Sequence, residues 1–149
     1  MTDIFNARQL LDHLVSFPTV SSDTNLPLIY FVRDYFADHG IGSVVIPNED
    51  GTKAGLVAQV GPNVAGGVAL SGHSDVVPVE GQDWITDPWT VVEKDDRLYG
   101  RGTCDMKGFV ALAMAAMVKA KSMDLQRPLQ FALSRDEEVG LLGAPDVAK

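Results

Sequence analysis

A chain of 149 residues that is 46% hydrophobic is long enough to bury one core, and 14 glycines with 8 prolines are too few to mark it as disordered. A formal net charge of −8 and a pI near 4.6 exclude nucleic acid as a partner, because phosphate backbones require clustered Lys and Arg. The single cysteine, Cys104, excludes an internal disulfide and fits a reducing compartment, so a cytoplasmic location is expected.

Met1 to Asn6 lack the basic start and apolar run of a leader. The longest apolar stretch, Phe109 to Val118, is too short to span a bilayer, so no membrane association is expected. Asn6 followed three residues later by Gln9 resembles a capping box, and Leu10, Leu11, Leu14 and Val15 then recur at helical spacing until Phe17 and Pro18 end the run. Residues 18–25, rich in Ser and Thr, form a loop. Asn25 is placed to cap a second helix with Pro27 in its first turn, Leu28, Val32, Tyr35 and Phe36 on its buried face, and Gly40 at its close.

Val44 to Ile46 and Leu56 to Val60 are β-branched clusters that read as strands joined by a turn. The short apolar run Gly67 to Ser71 predicts a strand buried on both faces that delivers His73 and Asp75 at its end. Val76 to Asp96 reads as a long loop; its Trp84 and Trp89 either wall a pocket or anchor the loop locally. Arg97 to Tyr99 reads as a brief strand. Lys107 to Met123 reads as a helix so apolar over its first half that burial all round is expected, with Asp105 just before its start. Leu129 to Ser134 predicts a buried strand ending at Asp136, Glu137 and Glu138, and a further helix begins near Gly140. This mixture of elements predicts an α/β sheet with helices on its faces.

Three polar signatures interrupt these apolar segments: Ser71-Gly-His73-Ser-Asp75, Arg101-Gly-Thr-Cys-Asp105-Met-Lys-Gly108 and Asp136-Glu137-Glu138. Each falls at the end of a strand or the start of a helix, where chemistry collects in open α/β sheets. One imidazole and several carboxylates gathered there form a hard nitrogen and oxygen site for a divalent metal, with one carboxylate free to act as a base; this reads as a zinc hydrolase.

Each signature also has a plainer reading. His73 and Asp75 point to the same side of an extended backbone, so the carboxylate can hold the second imidazole nitrogen; otherwise they are a loop histidine beside a surface aspartate. Asp105 is placed either to cap the helix or to bridge cations, and Gly100, Gly102 and Gly108 around it predict a sharply turning, closely packed backbone. Glu137 and Glu138 are expected on different sides of the chain, as a solvated turn or as one ligand and one base. Cys104 reads as a small packing residue, and His13 and His39 as surface or cap residues.

Ser71 to Pro78, Asp87 to Thr90 with Leu98 to Gly108, and Asp136 to Gly140 together resemble the N-terminal part of the co-catalytic zinc aminoacylase, carboxypeptidase and desuccinylase family. The resemblance extends over essentially the whole chain, in order and spacing. It implies a three-layer α/β sheet of the zinc exopeptidase type, two Zn2+ ions with Co2+ as a substitute, and hydrolysis of an N-acyl amino acid. It further implies that His73 binds one zinc, Asp105 bridges both, Glu138 binds the other, Glu137 is the general base and Asp75 orients His73, with a cis peptide after Asp105. Thr103-Cys104 is closer to the acetylornithine deacetylases than to the succinyl-diaminopimelate desuccinylases, where small residues such as alanine are usual. Deacetylation of N-acetyl-L-ornithine, as in arginine biosynthesis, is therefore the expected reaction, with desuccinylase, aminoacylase and dipeptidase as alternatives.

Members of that family are longer. They supply a further acid, a further histidine and a lid or dimerisation domain, so residues 1–149 are expected to form the N-terminal part of the catalytic domain, with a homodimer in the complete protein. The chain alone is expected to bind metal weakly and be inactive, and to expose apolar sheet edges. From a different class, the alternative is a truncated, non-catalytic interaction module.

Overall fold

Helix α1 (Ala7–Val15) starts where the capping box places it: the Asn6 side chain accepts the Gln9 N–H at 2.9 Å, and the Gln9 side chain accepts the Asn6 N–H at 2.9 Å. The structure, a computed structural model, describes residues 4–148. Met1 to Asp3, on which the expectation about a leader partly rests, and Lys149 lie outside the described residues.

Helix α2 (Leu26–Asp38) has Asn25 at its N-cap, but the expected cap bond is absent. The Asn25 amide is 2% exposed, so its donors and acceptor need buried partners. It donates to the Ala54 carbonyl and to Ser74 Oγ, each at 2.7 Å, and accepts the Ala54 N–H at 3.0 Å. Thr24 Oγ1 accepts the Leu26 N–H instead, at 3.3 Å.

The main sheet contains β1 (Ser43–Pro47), β2 (Ala54–Val60), β3 (Val68–His73) and β6 (Leu129–Ser134), in the order β1-β2-β6-β3. β1 pairs with β2 and β2 with β6 antiparallel, whereas β3 runs parallel to β6. Alternation along β2 sends Ala54, Leu56, Ala58 and Val60 to one face. There they join Phe131 and Leu133 of β6, α1, α2 and helix α3 (Lys107–Ala120) in one buried cluster. The edge of the Phe131 ring meets Phe36 at 5.2 Å and 89°. The second face holds the four-residue helix α4 (Ala144–Val147), whose Val147 sits 2.7 Å from where a Cβ on Gly55 would lie. The expected layering is therefore present, with the second face covered only at one end and a groove beside Val44, Val57, Ala132 and Ser71.

Four element expectations need correction. β3 is not buried on both faces: it is an edge strand, and Val68 is 59% exposed. α3 is not buried all round: Val110, Met114 and Met117 face the core, but Leu112 is 63% exposed, and the helix ends before Met123. The loop ending at Asp96 contains a strand, β4 (Val92–Lys94), paired antiparallel with β5 (Arg97–Tyr99). Its two-residue turn places Asp95 and Asp96 at φ 52° and 56°, the geometry that suits a tight hairpin and that Asp tolerates. The helix expected from Gly140 is only α4. No helix among the described residues is long and apolar enough to cross a membrane.

Candidate metal centre

The parallel register pairs His73 with Ser134, so the ends of β3 and β6 lie side by side and release Asp75 and the 136–138 turn at one edge of the sheet. Asp105 approaches from the segment ahead of α3. That segment is closely folded, as its glycines predict: Gly102 has φ +84°, and a Cβ on Gly108 would lie 2.3 Å from the Thr103 carbonyl oxygen. The Asp105–Met106 peptide is cis, as the resemblance implies. Asp105 does not cap α3. The N-cap residue is Met106, and the Asp105 carboxylate lies 3.2 Å from His73 Nε2.

His73 is 4% exposed. Its Nε2 is also 3.7 Å from Glu137 Oε2. One ligating atom from each of His73, Glu137 and Glu138 falls within 4.8 Å of the other two. His73, Glu137 and Glu138 are thus gathered at one point, with Asp105 against the same imidazole nitrogen. On the other side of the imidazole, Nδ1 is 2.9 Å from the Asp75 carbonyl oxygen and 3.6 Å from its carboxylate Oδ1. The backbone carbonyl makes the hydrogen bond; the carboxylate contributes charge.

That carboxylate has a second task. Asp75 Oδ1 accepts the backbone N–H of Glu137 at 3.0 Å, and Oδ2 accepts that of Glu138 at 3.2 Å. Two successive N–H groups converge on one carboxylate only when the backbone is not extended. Asp136, at φ 54°, provides that departure, and it corrects the expectation that the adjacent glutamates diverge: both reach the imidazole.

Burial opposes charge on His73, yet the Asp75 contacts and Asp105 outweigh it and raise its pKa to about 9. Burial likewise opposes charge on Asp75, but His73, the Ser21 hydroxyl and the two backbone N–H groups hold its carboxyl well below the usual carboxylate range. Glu138 is pushed up by burial and then by the charge of Asp105. A carboxylate made reluctant to ionise by its neighbours is what a cation at the same point would relieve.

Beneath the site lies a polar layer that the sequence did not single out. Ser21 Oγ donates to Asp75 Oδ2 at 2.7 Å, Thr19 Oγ1 to the Ser74 carbonyl at 2.6 Å, and Ser74 Oγ to the Ser134 carbonyl at 2.9 Å. Val20 and Val76 form a parallel bridge that docks this loop beside the end of β3. Lys107, 1% exposed, donates to the Phe17 carbonyl at 2.7 Å, and burial lowers its pKa to about 7. The concentration of Ser and Thr between Thr19 and Thr24 was the available signal, and the structure buries Thr19 and Ser21 of it. Beside Glu138, a cavity of about 270 Å3 is lined by Val20, Val77, Pro78 and Val139 among others.

The remaining residues behave more simply. Cys104 is exposed, which corrects its assignment as a packing residue. Trp84 and Trp89 are local anchors: the Arg101 guanidinium lies 5.3 Å from the first ring and the Lys107 ammonium 5.9 Å from the second. His39 closes α2, with Nδ1 2.7 Å from the Tyr35 carbonyl, and His13 stacks between Phe5 and Phe31.

The sequence model of peptidase family M20/M25/M40 matches residues 69–149, the span that carries His73, Asp75, Asp105, Glu137 and Glu138. The chain belongs to this family. Among solved structures, human carnosine dipeptidase 1 is similar at 25% identity and a TM-score of 0.77, over 91% of this chain and 33% of that one. An M20 family metallo-carboxypeptidase from Sulfolobus solfataricus shares the fold at a TM-score of 0.80 and 20% identity, over 95% of this chain and 33% of that one. The dipeptidase Dug1p from Saccharomyces cerevisiae matches at 0.63 and 23%, with 91% and 33% covered. The chain thus spans about a third of the length of these M20 relatives. M20 peptidases are metal-dependent hydrolases of amide bonds, and the donor set of one imidazole, several carboxylates and excess negative charge fits a hard divalent cation.

Proposed function

We propose that this chain is the N-terminal part of the catalytic domain of a zinc-dependent hydrolase that cleaves the amide bond of an N-acyl amino acid. The observation that carries this reading is the convergence of His73, Asp105, Glu137 and Glu138 where β3, β6 and the segment before α3 end together. His73, Asp105 and Glu138 are assigned as the groups that would hold the metal, with the largely exposed Asp105 carboxylate the one that two zinc ions would share. The cations, when bound, supply Lewis acidity toward the amide carbonyl. Glu137, with its side chain 36% exposed, takes a proton from the attacking water and passes it to the leaving amine. Asp75 is assigned to hold the imidazole and the glutamate turn.

Within that class, deacetylation of N-acetyl-L-ornithine to ornithine and acetate is the reaction we favour, on the strength of Thr103-Cys104 before Asp105. A cytoplasmic homodimer is the proposed working form. The 25% identity with human carnosine dipeptidase 1 favours a second reading, dipeptide hydrolysis. The deciding experiment loads the complete natural protein with zinc and compares N-acetylornithine, N-succinyl-diaminopimelate and dipeptides by product release. A kcat/KM for N-acetylornithine at least about tenfold above the others supports the deacetylase. Preferential dipeptide turnover replaces it, and no turnover of any amide removes the enzyme reading.

A further inference from the structure

Lys53 stands at the end of the β1–β2 connection, far in sequence from every residue of the metal centre. Its backbone is fixed by Asn48, whose side chain accepts the Lys53 N–H at 2.9 Å and whose own N–H donates to the Lys53 carbonyl at 2.8 Å. The ammonium is turned inward. It donates to the Ser21 carbonyl at 2.5 Å and to Asp136 Oδ1 at 2.5 Å. With side chains 17% and 7% exposed, Lys53 and Asp136 form a shielded pair rather than a solvated surface one.

Both acceptors belong to the frame that holds the glutamates. Ser21 donates to Asp75, Asp75 accepts the N–H groups of Glu137 and Glu138, and Asp136 is the residue immediately before them. The contacts close a ring: Lys53, Ser21, Asp75, the glutamate turn, Asp136 and back to Lys53. Asp136 holds φ 54°, a conformation that needs support from its surroundings, and its second oxygen is held by Arg135 at 2.7 Å. Arg135 only anchors the turn to its own neighbourhood, including Asp146 at 2.9 Å. Lys53 joins the turn to the Ser21 loop from one side, as Asp75 does from the other.

We propose that Lys53 is a positioning residue for Glu137 and Glu138, acting through Asp136 and Ser21 and touching neither substrate nor metal. Its use in catalysis rests on the metal-centre reading, but the clamp itself does not, so the two are separable by experiment. Backbone amide exchange of the metal-free complete protein reads the clamp, and zinc titration calorimetry reads its consequence. Lys53→Met is expected to speed exchange of the Glu137 and Glu138 amides by about tenfold or more while amides of β2 and α3 keep their protection. Zinc affinity should fall by about tenfold, the scale seen when outer partners of metal ligands are removed. Lys53→Arg should recover most of both losses. The losses of Asp136→Asn and Lys53→Met should be less than additive in the double variant, because the two residues share one contact, and what the second change adds should come from the Arg135 contact.

Unchanged exchange at Glu137 and Glu138 in Lys53→Met overturns the proposal, whatever happens to global stability or zinc affinity. Should Lys53→Met fail to fold, the double variant, which leaves no charged carboxylate facing a missing ammonium, carries the same measurement with the same criterion. Faster exchange with unaltered zinc affinity keeps the clamp and removes the metal reading of the turn.

Discussion

Asp75 Oδ1 accepts the backbone N–H of Glu137 at 3.0 Å, which fastens the end of β3 to the turn after β6. Asp75→Ala would strand the buried Ser21 hydroxyl, at about 1–3 kcal/mol for an unpaired buried group, and two partly buried N–H groups at less each. We expect a stability loss of about 2–4 kcal/mol in urea denaturation and a 10- to 100-fold drop in zinc affinity by calorimetry. Asp75→Asn keeps one acceptor oxygen and should lose less of both. An alanine variant with native stability and native zinc affinity would show that the carboxylate holds nothing.

The pH dependence of the metal-free protein follows from opposing shifts. His73 has a folded pKa raised to about 9 from an unfolded value near 6.5, so its stabilisation is complete below about 6.5 and disappears as pH rises through about 9. Asp75 has a depressed folded pKa, so its stabilisation is present above about 3.9 and disappears as pH falls toward the folded value. Denaturant midpoints taken across pH should therefore plateau between about 4 and 6.5 and decline below that range. Above about 7 the loss at His73 is offset by Lys107, whose lowered folded pKa of about 7 costs stability that returns as pH rises toward its unfolded value. Zinc binding must displace the His73 proton, so affinity should rise with pH toward 9 and release a proton detectable in buffers of different ionisation enthalpy. Pure proton uptake on zinc binding at pH 7 contradicts the assignment of His73.

Glu137→Gln separates holding from chemistry. If Glu137 moves the proton and His73, Asp105 and Glu138 hold the metal, the variant of the complete protein should keep zinc content within a small factor while kcat falls by about 10²–10⁴. Metal loss equal to that of Glu138→Gln would instead make Glu137 a ligand, a role its 4.8 Å clustering with His73 also allows.

Gly108→Ala tests the close folding ahead of α3. Alanine in a helix is ordinarily better than glycine by about 0.5–1 kcal/mol. Here the new Cβ would lie 2.3 Å from the Thr103 carbonyl oxygen, so the sign should reverse, with a loss of about 1–3 kcal/mol by thermal melting. Gly42→Ala, where nothing lies within 4 Å, is the control. A Gly108→Ala protein as stable as the control means that the 101–106 segment yields.

Local rules made much of this structure legible. Asn6 and Gln9 announce α1 because a capping box is satisfied within four residues. His73, Asp105 and the glutamate pair were visible because unlike polar groups stood at the ends of apolar runs. The frame that aims them was not. Ser21 and Asn25 read as ordinary loop and cap residues, Asp136 counted only as part of an acidic run, and Lys53 carried no signal; yet their bonds reach 83 residues along the chain in the case of Lys53 and Asp136. β3 was misjudged for a related reason: an apolar run reports hydrophobicity, whereas exposure depends on which strand becomes the edge. The Asp95–Asp96 hairpin escaped notice because two aspartates carry the turn more commonly signalled by Asn-Gly.

The strand order has a consequence for how the chain acquires this shape during synthesis. β6 lies between β2 and β3, yet it leaves the ribosome about sixty residues after β3 does. Until then β2 and β3 have no shared partner, and a direct pairing between them would have to be broken to admit β6. Closing such distant pairs is slow compared with local hairpins and helices. Helices α1 and α2 and the β1–β2 hairpin can therefore form early, while the imidazole and the glutamates meet only in the last step. A cation offered to the nascent chain finds scattered single ligands, and the affinity of the centre arises together with the insertion of its central strand.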